Sequence, residues 1–276
     1  MIGIFDSGAG GMSVLREILK LLPQEKYVYY SDNANCPYGE KTREFIIERS
    51  RAITRELLDK GCGIIVVACN TATSAAIETL REEFAPVKFI GMEPAIKPAA
   101  LSTRTGVIGV LATAGTLKGS KYLISKGIYE DDVRIEEHVG EGYVELVENG
   151  ELEGPHAEEV VRKSLQPVLD AGADNIVLGC THYPFLRPLI RKIAGPSVKI
   201  LDPAPATARH LIYVMVQEKL ISETDATHAL AKVIELAEAA DRNEEPGKAG
   251  LQNIPDIELI SSGDPQPLKN ICRQIL

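Results

Sequence analysis

The sequence predicts an α/β protein of two similar three-layer lobes with mostly parallel sheets, related by internal duplication, with an active site in the cleft between them. Three observations lead there. Short apolar runs alternate with longer segments of helical period. Several runs, such as Ile64-Ile65-Val66-Val67, are continuous in Ile and Val, which suits strands covered on both faces of a parallel sheet. A shift of 111 residues superposes Leu58-Asp59-Lys60-Gly61 on Leu169-Asp170-Ala171-Gly172, Ile65-Val66 on Ile176-Val177, and Cys69 on Cys180. Val87-Lys88 then meets Val198-Lys199 and Pro94-Ala95 meets Pro205-Ala206, ten identities over the 39 ungapped positions 57–95. Unrelated segments would share about two or three.

In chain order the runs predict strands at 1–5, 27–31, 63–68, 88–91, 106–111, 133–137, 175–179 and 198–201. Helices are predicted between them at 11–22, 42–60, 71–83, 156–171, 185–193 and 206–219. The first strands of the two halves also correspond, since residues 3–7 resemble 109–113 at a shift of 106. Beyond residue 222 the pattern changes to an acidic amphipathic helix (223–243), read as a solvated face, and a polar linker (244–252) holding Pro246, Gly247 and Gly250. A short strand (257–261) and a final helix (267–276) follow. Because termini of two-lobed α/β proteins often return to the first lobe, the expected domains are 1–97 with 208–276, and 98–207.

Composition narrows the class. A chain of 276 residues exceeds one domain of roughly 150 residues. With 45% apolar and 25% charged residues it is an ordinary soluble composition, with no stretch near the roughly 20 apolar residues of a membrane helix. The opening Met1-Ile-Gly-Ile-Phe-Asp-Ser-Gly reads as a strand running into a turn, not as a signal peptide. A net charge of −9, from 30 Lys+Arg against 39 Asp+Glu, argues against a nucleic-acid surface. Five scattered cysteines without a C-x-x-C pair point to reduced thiols in a cytoplasm and away from structural zinc.

Two of those cysteines carry the chemistry. Cys69 and Cys180 fall at the carboxyl ends of matched strands, where open α/β sheets bind ligands. Their flanks are polar at the same place: Asn70-Thr71 after one, Thr181-His182 after the other. At a helix N-terminus each thiol is expected to fall below its ordinary value of about 8.5. Redox partners usually lie close in sequence, and a metal site would want further Cys or His ligands than His182 alone. Proton transfer from two sides fits best, one thiolate taking a proton while the opposed thiol delivers one. The Gly-rich turn Phe5-Asp-Ser-Gly-Ala-Gly-Gly11 lets backbone amides and Ser7 approach an anion, and it is neither a dinucleotide fingerprint nor a P-loop. Asp6 reads either as a solvated turn carboxylate or as a group that handles a proton near Cys69. Tyr38 reads as a packing residue of the Cys36-Pro-Tyr-Gly39 turn, and His182 as a helix-start residue or an acid/base partner of Cys180.

Asp6-Ser-Gly-x-Gly-Gly11, Cys36-Pro-Tyr-Gly39, Cys69-Asn-Thr-Ala72, Gly179-Cys-Thr-His-Tyr-Pro184 and Ser261-Ser-Gly-Asp-Pro265, in this order, resemble the glutamate racemases of the aspartate/glutamate racemase superfamily. The resemblance implies a cofactor-independent, metal-free enzyme of the cytoplasm, often a homodimer, that interconverts L- and D-glutamate and supplies D-glutamate for peptidoglycan. It implies that Cys69 acts on D-glutamate and Cys180 on L-glutamate. Asp6 would assist Cys69, while Glu148 and His182 assist Cys180, with Glu141 and Glu145 as rivals of Glu148. Ser7, Tyr38, Gly39, Asn70, Thr71 and Thr181 would bind substrate, and Thr113 and Thr116 would meet a substrate carboxylate. The competing readings are an aspartate racemase, a two-lobed amino-acid-binding protein without catalysis, and a thiol redox sensor.

Overall fold

The computed structural model describes residues 1–241 and 256–275. The first lobe alternates β1 (Ile2–Asp6), α1 (Met12–Leu21), β2 (Tyr27–Ser31), α2 (Arg43–Asp59), β3 (Ile64–Val67), α3 (Asn70–Glu83) and β4 (Lys88–Gly91). The second contains α4 (Ile96–Ser102), β5 (Val107–Ala112), α5 (Ala114–Leu117), α6 (Ser120–Tyr129), β6 (Arg134–Val139), α7 (Tyr143–Glu148), α8 (Pro155–Asp170), β7 (Asn175–Gly179), α9 (Arg187–Ala194) and β8 (Lys199–Leu201). After these come α10 (Ala204–Gln217), α11 (Glu223–Asp241), β9 (Ile257–Ser261) and α12 (Gln266–Ile275).

The strands form two all-parallel sheets, ordered β4-β3-β1-β2-β9 and β8-β7-β5-β6. Apart from the edge strand β9, the two orders match strand for strand, as the repeat at 111 predicts. The repeat also has a conformational reason. Gly61 and Gly172 end α2 and α8 with φ of 86° and 88°, a left-handed turn that a side chain resists.

Period-two alternation divides each sheet's residues between cores. Ile2, Ile4, Tyr27, Tyr29, Ile64 and Val66 of the first sheet share one cluster with Ile176 and Leu178 of the second, so a single core runs between the lobes. Phe5, Val28, Ile65 and Val67 face α2 and α3, and Val110 and Val177 join Ile96 and Tyr122 on the far side of the second sheet. Helices α10, α11 and α12 all pack on α1. Among the described residues, no helix is long and apolar enough to cross a membrane.

Four helices have no counterpart in the periodicity: α4, α5, α6 and α7. Three of them are seven residues or fewer, too short to show a repeating face. The fourth, α6, buries Tyr122 alone and leaves Leu123, Ile124 and Ile128 exposed. The polar linker at 244–252 lies outside the described residues, as do the last residues of the predicted acidic helix and Leu276. On that helix, α11, Ala226 and Ala229 are buried, so it is more than a solvated face.

Candidate active site

The site is assembled at the carboxyl ends of four strands, two from each sheet. Asp6 ends β1, Cys69 follows β3 by two residues, Thr113 follows β5, and Cys180 follows β7.

On the first lobe, Cys69 is the N-cap of α3 and its Sγ accepts the Ala72 amide at 3.4 Å. The thiol itself points to Ser7 Oγ at 3.8 Å. Asp6 is fully buried, and its Oδ2 accepts the amides of Gly8 and Gly11 at 3.0 Å each. A helix N-terminus alone would lower the thiol, and here the reverse holds. Burial pushes Cys69 well above the ordinary thiol range, and the nearby Asp6 charge adds to it, against the weaker pull of the Ala72 amide. Burial likewise raises Asp6, partly offset by His182 and the two glycine amides. The Cys69 sulfur is thus held as a thiol.

On the second lobe, Cys180 does not start a helix, contrary to the sequence expectation. Its carbonyl accepts the Tyr183 amide at 3.1 Å in a turn that enters a 3₁₀ segment, Tyr183–Leu186, before α9 begins. Pro184 and Pro188 lack the amide donors of a regular first turn. What Cys180 has instead is His182. The imidazole is 1% exposed, its Nδ1 lies 3.7 Å from Cys180 Sγ, and its Nε2 lies 2.6 Å from Glu148 Oε1. Glu148 closes α7, and the same Oε1 accepts the Ala9 amide of the first lobe at 2.7 Å. Of the three acidic residues the sequence leaves open, Glu148 is the one bonded to His182, while Glu141 and Glu145 are exposed. Burial alone would lower His182, but the contacts of Cys180, Cys36 and Glu148 raise it well above the ordinary range. Burial would raise Glu148, and His182 with the Ala9 amide hold it below. Both directions favour a charge-assisted bond between the two side chains.

The Gly-rich turn has a use beyond anion approach. A Cβ at Gly8 would sit 2.2 Å from Glu148 Oε1, and one at Gly10 would sit 2.3 Å from His182 Nδ1. The turn is glycine where the other lobe's histidine and glutamate press against it.

Hydroxyls line the seam between the lobes. Thr71, Thr113 and Thr116 form a triangle of Oγ1 contacts at 2.8, 3.3 and 3.0 Å. Thr181 Oγ1 donates to Asp6 Oδ1 at 3.2 Å, and Ser13 Oγ donates to the Thr181 carbonyl at 2.9 Å. Asn70, 3% exposed, has both amide atoms without a hydrogen-bond partner among the described residues. Such a group costs about 1–3 kcal/mol unless something binds it. Gly39 approaches Thr113, whose Cβ would lie 3.0 Å from a Cβ at that glycine. Tyr38 is buried with its hydroxyl donating to Asp32 at 2.5 Å, so its phenol is committed to Asp32.

Sequence reasoning missed Asp32, Arg49, Ser13 and Cys36. Asp32 accepts Arg49 twice, at 2.9 and 2.7 Å, and this half-buried pair anchors the turn that carries Tyr38 and Gly39. Its place one residue past β2, as Asp6 stands at the end of β1, is the signal that marks it. The Cys36 thiol faces His182 and Glu148, and ligand atoms of the three lie within 4.8 Å of one another.

The fold and site define a two-lobed α/β protein that brings two thiols, each with its own buried polar partner, to the seam between its lobes. Residues 2–211 match the Asp/Glu/Hydantoin racemase family, and the chain belongs to it. It is 46% identical over 226 residues to a glutamate racemase of Stutzerimonas stutzeri, covering 82% of this chain and 86% of that one. A glutamate racemase of Herpetosiphon aurantiacus is 50% identical over 208 residues, 75% of this chain and 82% of the relative. The crystal structure of Escherichia coli glutamate racemase in complex with L-glutamate and an activator superposes with a TM-score of 0.72 at 36% identity, over 78% of this chain and 81% of that one. The Thermus thermophilus glutamate racemase gives 0.70 at 30% identity, over 99% and 91%.

Proposed function

We propose that this chain interconverts L- and D-glutamate by proton transfer between two thiols, without pyridoxal phosphate or metal, and so supplies D-glutamate for peptidoglycan. The observation that carries the reading is the pair Cys69 and Cys180 at corresponding strand ends of the two lobes, close enough that Cys180 raises the Cys69 thiol electrostatically. Binding alone would need neither sulfur.

From L-glutamate, the Cys180 thiolate takes the α-proton and becomes a thiol, leaving an enediolate-like carbanion. The Cys69 thiol then gives its proton to the opposite face and is left as the thiolate, and D-glutamate forms. The reverse direction exchanges the roles. His182, oriented by Glu148, faces Cys180 through Nδ1 and supports the charged sulfur. Asp6 and Ser7 flank Cys69 on the other side. Asn70, Thr71, Thr113, Thr116 and Thr181 offer neutral donors to the two carboxylates, with Ser7, Tyr38 and Gly39 closing the site. An acidic protein can bind a dianion this way without a local excess of Lys or Arg. We assign the enzyme to the cytoplasm, where its thiols stay reduced, and to a homodimer.

Incubating the purified protein with L-glutamate in D₂O, with no cofactor added, tests the reading. Optical rotation should decay to zero with deuterium at Cα. Retained rotation, or activity that depends on added pyridoxal phosphate, overturns it.

A further inference from the structure

The sequence leaves Cys36 without a role, and the structure puts its sulfur beside the two groups that serve Cys180. Cys36 Sγ, a Glu148 carboxylate oxygen and a His182 ring nitrogen lie within 4.8 Å of one another. The three come from three separate places: the loop after β2, the end of α7 and the turn after β7. A tetrahedral zinc ion with bonds of about 2.0–2.3 Å holds such atoms roughly 3.3–3.6 Å apart, so the trio closes on a metal by about 1 Å of side-chain movement. Thiolate, imidazole and carboxylate together form a donor set suited to zinc-class cations rather than to magnesium or calcium.

Two further features support ligation. A Cβ at Gly8 would lie 2.2 Å from Glu148 Oε1 and 3.0 Å from Cys36 Sγ, so only a glycine lets these two donors stand side by side. The Ala9 amide fixes the Glu148 carboxylate at 2.7 Å, the kind of outer contact that orients a metal ligand.

We propose that Cys36, Glu148 and His182 form a binding site for a zinc-class divalent cation, and that its occupation switches the enzyme off. The cation would take the Cys36 thiolate, a Glu148 carboxylate oxygen and a His182 nitrogen lone pair, releasing to solvent the Cys36 thiol proton and one proton of the His182 ring. His182 would then no longer serve Cys180. The binding half stands on the geometry alone; the inhibitory half rests on the proposed racemisation.

The test uses the full chain stripped with a chelator and titrated anaerobically with Co²⁺ as an optical probe, then with Zn²⁺ in competition. One equivalent of Co²⁺ should give a thiolate-to-cobalt charge-transfer band that Zn²⁺ abolishes. The band should be lost in Cys36→Ser, and Co²⁺ affinity should fall by at least about ten-fold in Glu148→Gln. Circular dichroism and thermal melting confirm that each variant is folded. No band in the wild-type protein, or a band that survives Cys36→Ser and disappears in Cys180→Ser, overturns the site. Activity is read separately, as the ratio of zinc-treated to untreated rate. Wild-type racemisation should stop with Zn²⁺ and return with chelator. A band with undiminished activity overturns the inhibitory half and leaves the site. A metal-free protein that does not racemise glutamate overturns the functional reading, and the band still decides the site.

Discussion

His182 Nε2 lies 2.6 Å from Glu148 Oε1, across the second lobe and 34 residues of chain. The same ring turns Nδ1 to Cys180 at 3.7 Å. Among the described residues Cys69 is bonded to no imidazole; it has a helix amide, Ser7 and the buried carboxyl of Asp6. The two thiols come from duplicated halves but stand in unlike surroundings, and the predictions follow from that asymmetry.

Cys69→Ser and Cys180→Ser should each abolish racemisation, because a serine hydroxyl is far less acidic than a thiol in the same surroundings. Substrate binding should remain. Cys69→Ser should still exchange the α-proton of L-glutamate with solvent, and Cys180→Ser should prefer D-glutamate. Following solvent exchange from each enantiomer in each variant decides it. The same enantiomer preference in both would disprove the facing-thiol assignment.

Glu148→Gln keeps an acceptor for His182 and Ala9 but removes the charge. Turnover from L-glutamate should fall by roughly a hundred-fold or more, in the range of a lost acid–base contribution. Asp6→Asn should instead weigh on the D-glutamate direction. Steady-state kinetics in both directions measures the split.

Gly10→Ala places a methyl 2.3 Å from His182 Nδ1. Activity should be lost while both sheets persist, because the clash displaces one ring and no core residue. Far-ultraviolet circular dichroism with an activity assay checks this.

Asn70→Ala removes a buried side-chain amide that makes no hydrogen bond among the described residues. It should raise KM for glutamate and leave thermal stability unchanged or slightly increased. A loss of stability as large as that of a core truncation would mean that Asn70 serves the fold.

Asp174 accepts Thr103 Oγ1 at 2.6 Å and the Arg104 amide at 2.7 Å. Burial would raise its carboxyl, but these hydrogen bonds hold it below the ordinary value. A carboxyl lowered on folding stabilises the protein above its unfolded value of about 3.9, and that contribution fades as pH falls through the folded value. The stability gap between wild type and Asp174→Asn should therefore be widest near neutrality and close in acid. Urea midpoints from pH 7 down to pH 3 would show it.

Much of this was legible in the residues. Period-two and helical patterns are local properties, so the sequence alone determined the alternating strands, the duplicated halves and the placing of Cys69 and Cys180 at matched strand ends. Gly61 and Gly172 mark equivalent helix ends because a left-handed φ is a demand of the backbone itself. Short helices such as α7 bury too few turns to declare themselves. What the tertiary structure decided depends on groups that meet between the lobes. Glu148 is bonded to His182 while Glu141 and Glu145 stay outside, because only the end of α7 reaches the Gly-rich turn of the other lobe. Cys36 joins that cluster from the loop after β2. Cys69 is held as a thiol although it caps a helix, because burial and a neighbouring carboxyl outweigh one amide, and burial is a property of the assembled lobes rather than of the chain.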